Sequence, residues 1–178
     1  MQTMLAALLL TSVIVAGVAL LYARNEYLKR GRLTWLGVFL LCAMLFLPNL
    51  VLHYATRYKL PSTALDFLGI VVGLLGLIFV FVGIFSFRSL TKMLCLRTGE
   101  LTRSGPYRWS RNPQYVGYWL FLLGFALNDW SLWCLAALAV VAISLHLLVL
   151  IEEEHLQRVF GEPYAAFARM TPRYVRIW

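Results

Sequence analysis

Residues 101–118 read LTRSGPYRWSRNPQYVGY, a polar, arginine-rich and aromatic stretch that interrupts an otherwise apolar chain and returns directly to apolar residues. Gly105, Pro106 and Pro113 argue against a continuous helix before Pro113, because an interior proline removes a backbone hydrogen bond and clashes with the preceding turn. Pro113 itself suits a first helical turn, where its missing N–H costs nothing. The stretch therefore reads as a structured loop at a membrane surface, feeding a membrane helix. Tyr107, Arg108, Trp109, Arg111, Asn112 and Tyr115 crowd around those rigid turns. A plain connector needs none of them, so chemistry is expected here.

The surrounding composition fixes the class. The 178 residues are 61% hydrophobic and the mean hydropathy is +0.76, whereas soluble domains are only about half apolar. One all-α integral membrane domain over residues 1–178 is expected. The cysteines (Cys42, Cys95 and Cys134) lie far apart with no C-x-x-C pair, so neither a disulfide framework nor a metal site is expected. No small-residue cleavage site follows the first apolar run, so no cleavable signal is expected.

Five apolar runs follow in order: residues 3–22, 34–54, 64–87, 113–127 and 131–151. The first is long enough to cross ~30 Å of hydrocarbon, whereas the fourth is short for a crossing. In the second run Pro48 should kink the helix, and Asn49 should face protein or freed carbonyls. Asp66 opens the third run, where a carboxylate favours the helix dipole. Gly69, Gly73 and Gly76 line one side of that run, as close helix packing requires, in a monomer or across a homodimer. Asn128 and Asp129 make a tight turn between the fourth and fifth runs, which should form an antiparallel hairpin.

Charge placement orients the chain. Of sixteen Lys and Arg, fourteen fall after the first run, after the third run or in the C-terminal tail; only Arg57 and Lys59 fall on the other side. For five transmembrane helices this positive-inside pattern places the N-terminus outside, with the long loop and tail in the cytoplasm. The net charge of +8 is thus a topology signal and a belt for membrane lipids, not a nucleic-acid footprint. In the tail, Gly161 breaks the last long helix and Pro163 can restart one. Residues 163–170 then read as a short amphipathic helix on the membrane surface, with Tyr174 and Trp178 as headgroup anchors.

On this topology the loop and the Glu152, Glu153 and Glu154 cluster share one side and can meet. Glu152 and Glu153 lie about 100° apart on a helix, so they cannot face one partner equally. Two readings stand: the carboxylates help to hold a cationic, nucleoside-like cofactor beside a lipid, or they pair with interfacial arginines. His53 and His146 read as packed residues, and His155 as a surface group able to titrate near neutral pH. No G-x-G-x-x-G follows a strand, which excludes a Rossmann-type methyltransferase domain.

The string S-G-P-Y-R-x-x-R-N-P-x-Y-x-G from Ser104 to Gly117, followed by E-E-x-x-L-x-x-x-F-G-x-x-Y from Glu152 to Tyr164, resembles the isoprenylcysteine carboxyl methyltransferase and phospholipid methyltransferase superfamily. The likeness covers roughly the C-terminal 80 residues and divides the chain into three membrane helices (1–100) and a methyltransferase-like core (101–178). It implies S-adenosyl-L-methionine as cofactor, in a cytosolic pocket closed by the loop, the hairpin and the tail, and a lipophilic or prenylated acceptor entering from the bilayer. By resemblance, Gly105, Tyr107, Arg111, Asn112, Pro113, Tyr115, Glu153 and Tyr164 bind the cofactor, while Arg111, Glu152 and Glu153 serve catalysis. Tyr107 or Trp109 offers a ring face to the cation, and Arg108 or Arg111 an anchor for an acceptor anion.

Eukaryotic prenylcysteine enzymes carry histidine where Asn112 stands; asparagine belongs to bacterial-type relatives, which points to a bacterial inner membrane. Asn112 takes no proton at neutral pH, so a histidine-base mechanism there is excluded. Carboxyl O-methylation is the favoured activity, with phospholipid amines or small lipophilic thiols as alternative acceptors. A sterol-reductase-like oxidoreductase with a nicotinamide cofactor and a non-enzymatic membrane protein are the further alternatives.

Overall fold

The computed structural model describes residues 1–55, 63–86, 101–127 and 131–175. The features expected at Arg57, Lys59 and Pro61, at Arg88, Lys92, Cys95 and Arg97, at the Asn128 and Asp129 turn, and at Arg176 and Trp178 lie outside these residues. Among the described residues the helices are α1 (Gln2–Arg30), α2 (Trp35–Ala55), α3 (Ala64–Phe85), α4 (Pro113–Ala126), α5 (Leu132–Phe160) and α6 (Glu162–Met170), with a single 3₁₀ turn at Gly105–Arg108 before α4.

Four of these helices (α1, α2, α3 and α5) are long and apolar enough to cross a membrane. The fifth expected span is not among them. Helix α4 has 14 residues, a rise of about 21 Å, against ~30 Å of hydrocarbon. Two helices instead run longer than their apolar runs. Helices α1 and α5 each have 29 residues, about 43 Å, so both project well past a hydrocarbon core. Gly31 ends α1 in the left-handed conformation (φ 65°) with its N–H on the Tyr27 carbonyl, which a Cβ would strain.

The projecting ends are tied together. The Arg24 guanidinium meets Glu154 at 3.2 Å, and the Tyr27 and His155 rings stack at 4.3 Å. At the opposite end of the bundle the Trp133 indole donates to Gln2 Oε1 at 2.6 Å. Helices α1, α2, α4 and α5 share a core that includes Leu5, Val51, Leu122, Val141 and Leu145.

Helix α4 packs mainly on α3, not on its expected hairpin partner α5. The two lie antiparallel, with Gly83 beside Gln114, Gly76 beside Gly117 and Gly69 beside Gly124. A Cβ added at Gly117 would stand 2.6 Å from the Val80 nitrogen and 2.7 Å from the Gly76 carbonyl oxygen. A Cβ at Gly124 would stand 2.5 Å from the Gly69 carbonyl oxygen. The backbones touch, and the glycine face expected to serve either a monomer or a dimer is occupied by this chain's own α4. Helix α3 starts with a reciprocal capping box: Thr63 Oγ1 accepts from the Asp66 N–H at 3.2 Å, and Asp66 Oδ2 accepts from the Thr63 N–H at 2.9 Å.

Helix α2 runs through Pro48. Asn49 faces protein as expected, but its amide donates to the Leu45 carbonyl at 2.7 Å rather than to the Met44 carbonyl, which Pro48 leaves without a helical donor. Asn49 also hydrogen-bonds the Tyr118 hydroxyl of α4.

Gly117→Ala should therefore destabilise the protein by about 1–3 kcal/mol, since the added methyl would push against the α3 backbone and the Phe79 Cβ, which cannot swing away. Gly17→Ala, where a Cβ meets nothing within 4 Å, should be neutral or stabilising by up to about 1 kcal/mol. Thermal unfolding in detergent checks both, and equal melting temperatures would contradict the backbone contact.

Candidate active site

The loop, the N-terminus of α4, the C-terminal third of α5, α6 and the tail gather at one end of the bundle. Gly105 (φ 60°) turns the chain into the 3₁₀ segment, where Tyr107 and Pro106 are buried. The Tyr107 ring packs with Tyr164 and Phe167 of α6, and its hydroxyl donates to Gln114 Oε1 at 2.5 Å. Arg103 lies over the Phe167 ring at 6.0 Å and donates to the Pro163 carbonyl at 2.8 Å. The amphipathic α6 thus docks on the loop through one apolar face.

Residues 110–112 hold the tail. The Arg111 N–H donates to the Pro172 carbonyl at 2.9 Å. The Asn112 amide and the Ser110 hydroxyl both donate to the Arg173 carbonyl, at 3.1 Å and 3.3 Å. Further along, Tyr174 pairs its hydroxyl with His146 Nδ1 at 2.8 Å. Asn112 is thereby a tail clamp; its neutral amide, able to donate without titrating, suits a carbonyl acceptor.

The three glutamates part company, as their helical spacing requires. Glu153 receives Arg111 at 3.2 Å and Arg173 at 2.7 Å. Glu154 takes Arg24 and Arg158. Pairing with arginine thus accounts for these two. Glu152 differs: its Oε1 accepts from the Tyr115 hydroxyl at 2.8 Å, and no cation among the described residues pairs with it. The Arg111 side chain also donates to the Tyr164 hydroxyl at 3.3 Å. Burial is the main cause that pushes the Tyr164 hydroxyl above its ordinary pKa, with Glu153 adding to it and Arg111 opposing. Tyr164 is therefore a neutral hydroxyl at physiological pH. The Glu153 hydrogen bonds hold Arg173 above the ordinary arginine range.

Glu152 and Tyr115 end a cavity of about 220 Å³, otherwise walled largely by apolar residues of α2, α3, α4 and α5 such as Leu41, Leu45, Val80 and Leu148. The expected enclosure by loop and tail is not what forms it. Among the described residues, Tyr107 packs on Tyr164, Arg111 donates to Tyr164 and Asn112 donates to the tail instead, so that the loop and tail satisfy each other's polar groups. Trp109, expected as a ring for the cation, stands 74% exposed. Arg108 is exposed as well, while Tyr107 is 4% exposed with its ring already packed.

A family model for phospholipid methyltransferases matches residues 64–163, more than half of the chain. The chain belongs to the phospholipid methyltransferase family. It is accordingly a multi-pass membrane methyltransferase by family and by its four apolar helices. Neither the curated proteins nor the solved structures contain a match. The family region begins at α3, earlier than the C-terminal 80 residues that the motifs covered, and ends at Pro163. The α3–α4 glycine contact explains the earlier start, since α4 has its main packing surface on α3.

Two contributors escaped the sequence reading. Gln114 sits inside the quoted motif at a position with no obvious chemistry, and Arg173 lay in the tail as one basic residue among four. Only the pairing of Arg173 with Glu153 distinguishes it. A double-mutant cycle should give Arg111 and Glu153 a coupling on the order of 1–3 kcal/mol, because both side chains are nearly buried (12% and 14% exposed). The more exposed Arg173 should couple to Glu153 by roughly 1 kcal/mol or less. Arg173→Ala should also speed amide exchange in α6 and the tail; unchanged exchange would show that the clamp does not hold them.

Proposed function

We propose that this protein is an S-adenosyl-L-methionine-dependent methyltransferase whose acceptor is an amine on a lipid or lipophilic molecule. The observation that carries the reading is Glu152, a carboxylate without a cationic partner among the described residues at the polar end of an apolar cavity. An amine must shed a proton before or during methylation, and Glu152 is placed to take it. Its negative charge also favours an ammonium headgroup and disfavours a carboxylate acceptor beside it. Amine methylation is therefore favoured over the carboxyl O-methylation that the motifs suggest.

The residues fit the cofactor. Arg111 Nε is buried without a hydrogen-bond partner, which leaves a donor for the carboxylate of a bound amino-acid group. With the loop and tail parted from one another, Arg111, Asn112, Tyr107 and Glu153 would hold the cofactor, with Gly105, Pro113, Tyr115 and Tyr164 shaping the surroundings. When bound, S-adenosylmethionine supplies a sulfonium-activated methyl group. The protein's own work is to orient and to move a proton: Tyr115 fixes the Glu152 carboxylate by donating to it, and Glu152 accepts the proton of the acceptor ammonium. Glu153, held by two arginines, positions Arg111. The positive-inside pattern supports a cytosolic site with the N-terminus outside, and Asn112, where eukaryotic relatives carry histidine, favours a bacterial inner membrane.

The test is transfer of labelled methyl from S-adenosylmethionine by protein in nanodiscs, to phosphatidylethanolamine and to long-chain alkyl amines. Glu152→Gln should lower the rate about 10²-fold or more and abolish the loss of activity at low pH. Methyl-ester formation alone, released as methanol by base, would overturn the amine reading. Lack of cofactor binding to folded protein by calorimetry would overturn the methyltransferase reading.

A further inference from the structure

Helices α2 and α4 do not pack closely along their lengths, and two cavities lie between them. The first, of about 220 Å³, ends at Glu152 and includes Leu45 and Tyr118 in its wall. The second, of about 300 Å³, lies toward the opposite end of the bundle and is lined by Phe46, Asn49, Leu50, Phe121 and Phe125, among others. Gln114, Tyr118, Phe121 and Phe125 recur on α4 at three- and four-residue spacing, and so share one helix face. Leu41, Leu45, Asn49 and Leu52 do the same on α2. The two cavities are therefore successive parts of one seam. Between them stands a polar bridge: Asn49 bonded to the Tyr118 hydroxyl, with both also on the Leu45 carbonyl.

We propose that this seam holds one hydrocarbon chain of the acceptor, with its polar head at Glu152, and that the Asn49–Tyr118 hydrogen bond is a gate selecting chain length. The inference rests on the amine-acceptor reading above for the identity of the head, while the seam itself is independent of the chemistry. The dimensions fit one chain of one leaflet. From Gln114 to Phe125 the α4 face rises about 16 Å, close to half of a ~30 Å hydrocarbon core. A short chain ends in the first cavity. A long chain passes only when the bridge opens, which costs the net worth of a hydrogen bond in an apolar setting. The wall contributed by α2, with Asn49, lies outside the region matched by the family model, whereas Tyr118 and Phe121 lie within it.

The experiment compares hexylamine with hexadecylamine, in binding and in methyl transfer, for wild type, Tyr118→Phe, Phe121→Trp and Leu50→Trp in nanodiscs. Tyr118→Phe removes the bridge but keeps the ring, and should shift the ratio of apparent affinities toward the long amine about two- to tenfold. Phe121→Trp fills the second cavity and should shift the ratio the opposite way. Leu50→Trp does the same from the α2 wall if the α4 variant fails to fold, as judged by its melting temperature. A hexadecylamine bearing a terminal diazirine should label residues near Phe125 and Leu50 in the wild type. Labelling of the outer face of α3 instead, or a ratio unmoved by all three substitutions, overturns the seam. Labelling in the seam without methyl transfer to any amine overturns the amine reading and leaves the seam standing.

Discussion

Backbone contact between α3 and α4 is the constraint on which the active end depends. Lipid tails are as apolar as leucine, so hydrophobicity alone does not hold one membrane helix against another; close van der Waals approach does. Gly76, Gly117 and Gly124 supply that approach along the length of a 14-residue helix that is shorter than the hydrocarbon core. With α4 fixed to α3, Pro113 and Tyr115 have a defined height and direction. The loop, the clamp and the Glu152 cavity are all referred to that position.

On this frame the polar end separates two duties that adjacent residues perform. Glu153 faces the loop and tail, where two arginines from distant parts of the chain meet on it. One residue back and about 100° around the helix, Glu152 faces the membrane cavity with a neutral tyrosine as its partner. A paired carboxylate organises structure, and an unpaired one remains available to a proton or a cation. The E-E dipeptide is thus a junction between a structural clamp and a reactive cavity.

The tail clamp relates the family core to the rest of the molecule. Family likeness ends at Pro163, yet the carbonyls of Pro172 and Arg173 satisfy donors from Ser110, Arg111 and Asn112 inside the core motif. Helices α1 and α2 likewise lie outside the matched region, and they supply the ion pair on Glu154 and the second wall of the seam. The shared core carries the proposed chemistry, and the flanking segments enclose it and tune what reaches it.

Much of this was legible in the sequence because it depends on local chemistry and period. Apolar runs marked five helices, four of them long enough to span, proline and glycine marked the loop and the breaks at Gly105 and Gly161, and residue types marked the loop and the glutamates as one functional end. Helical geometry alone separated Glu152 from Glu153. Sequence did not reveal that α4 belongs on α3, since glycine spacing shows that a face is small without naming its partner. Nor did it single out Arg173 from the other tail arginines, or join Asn49 to Tyr118 across 69 positions. Those are long-range pairings, and only the packed tertiary structure decides which polar group finds which.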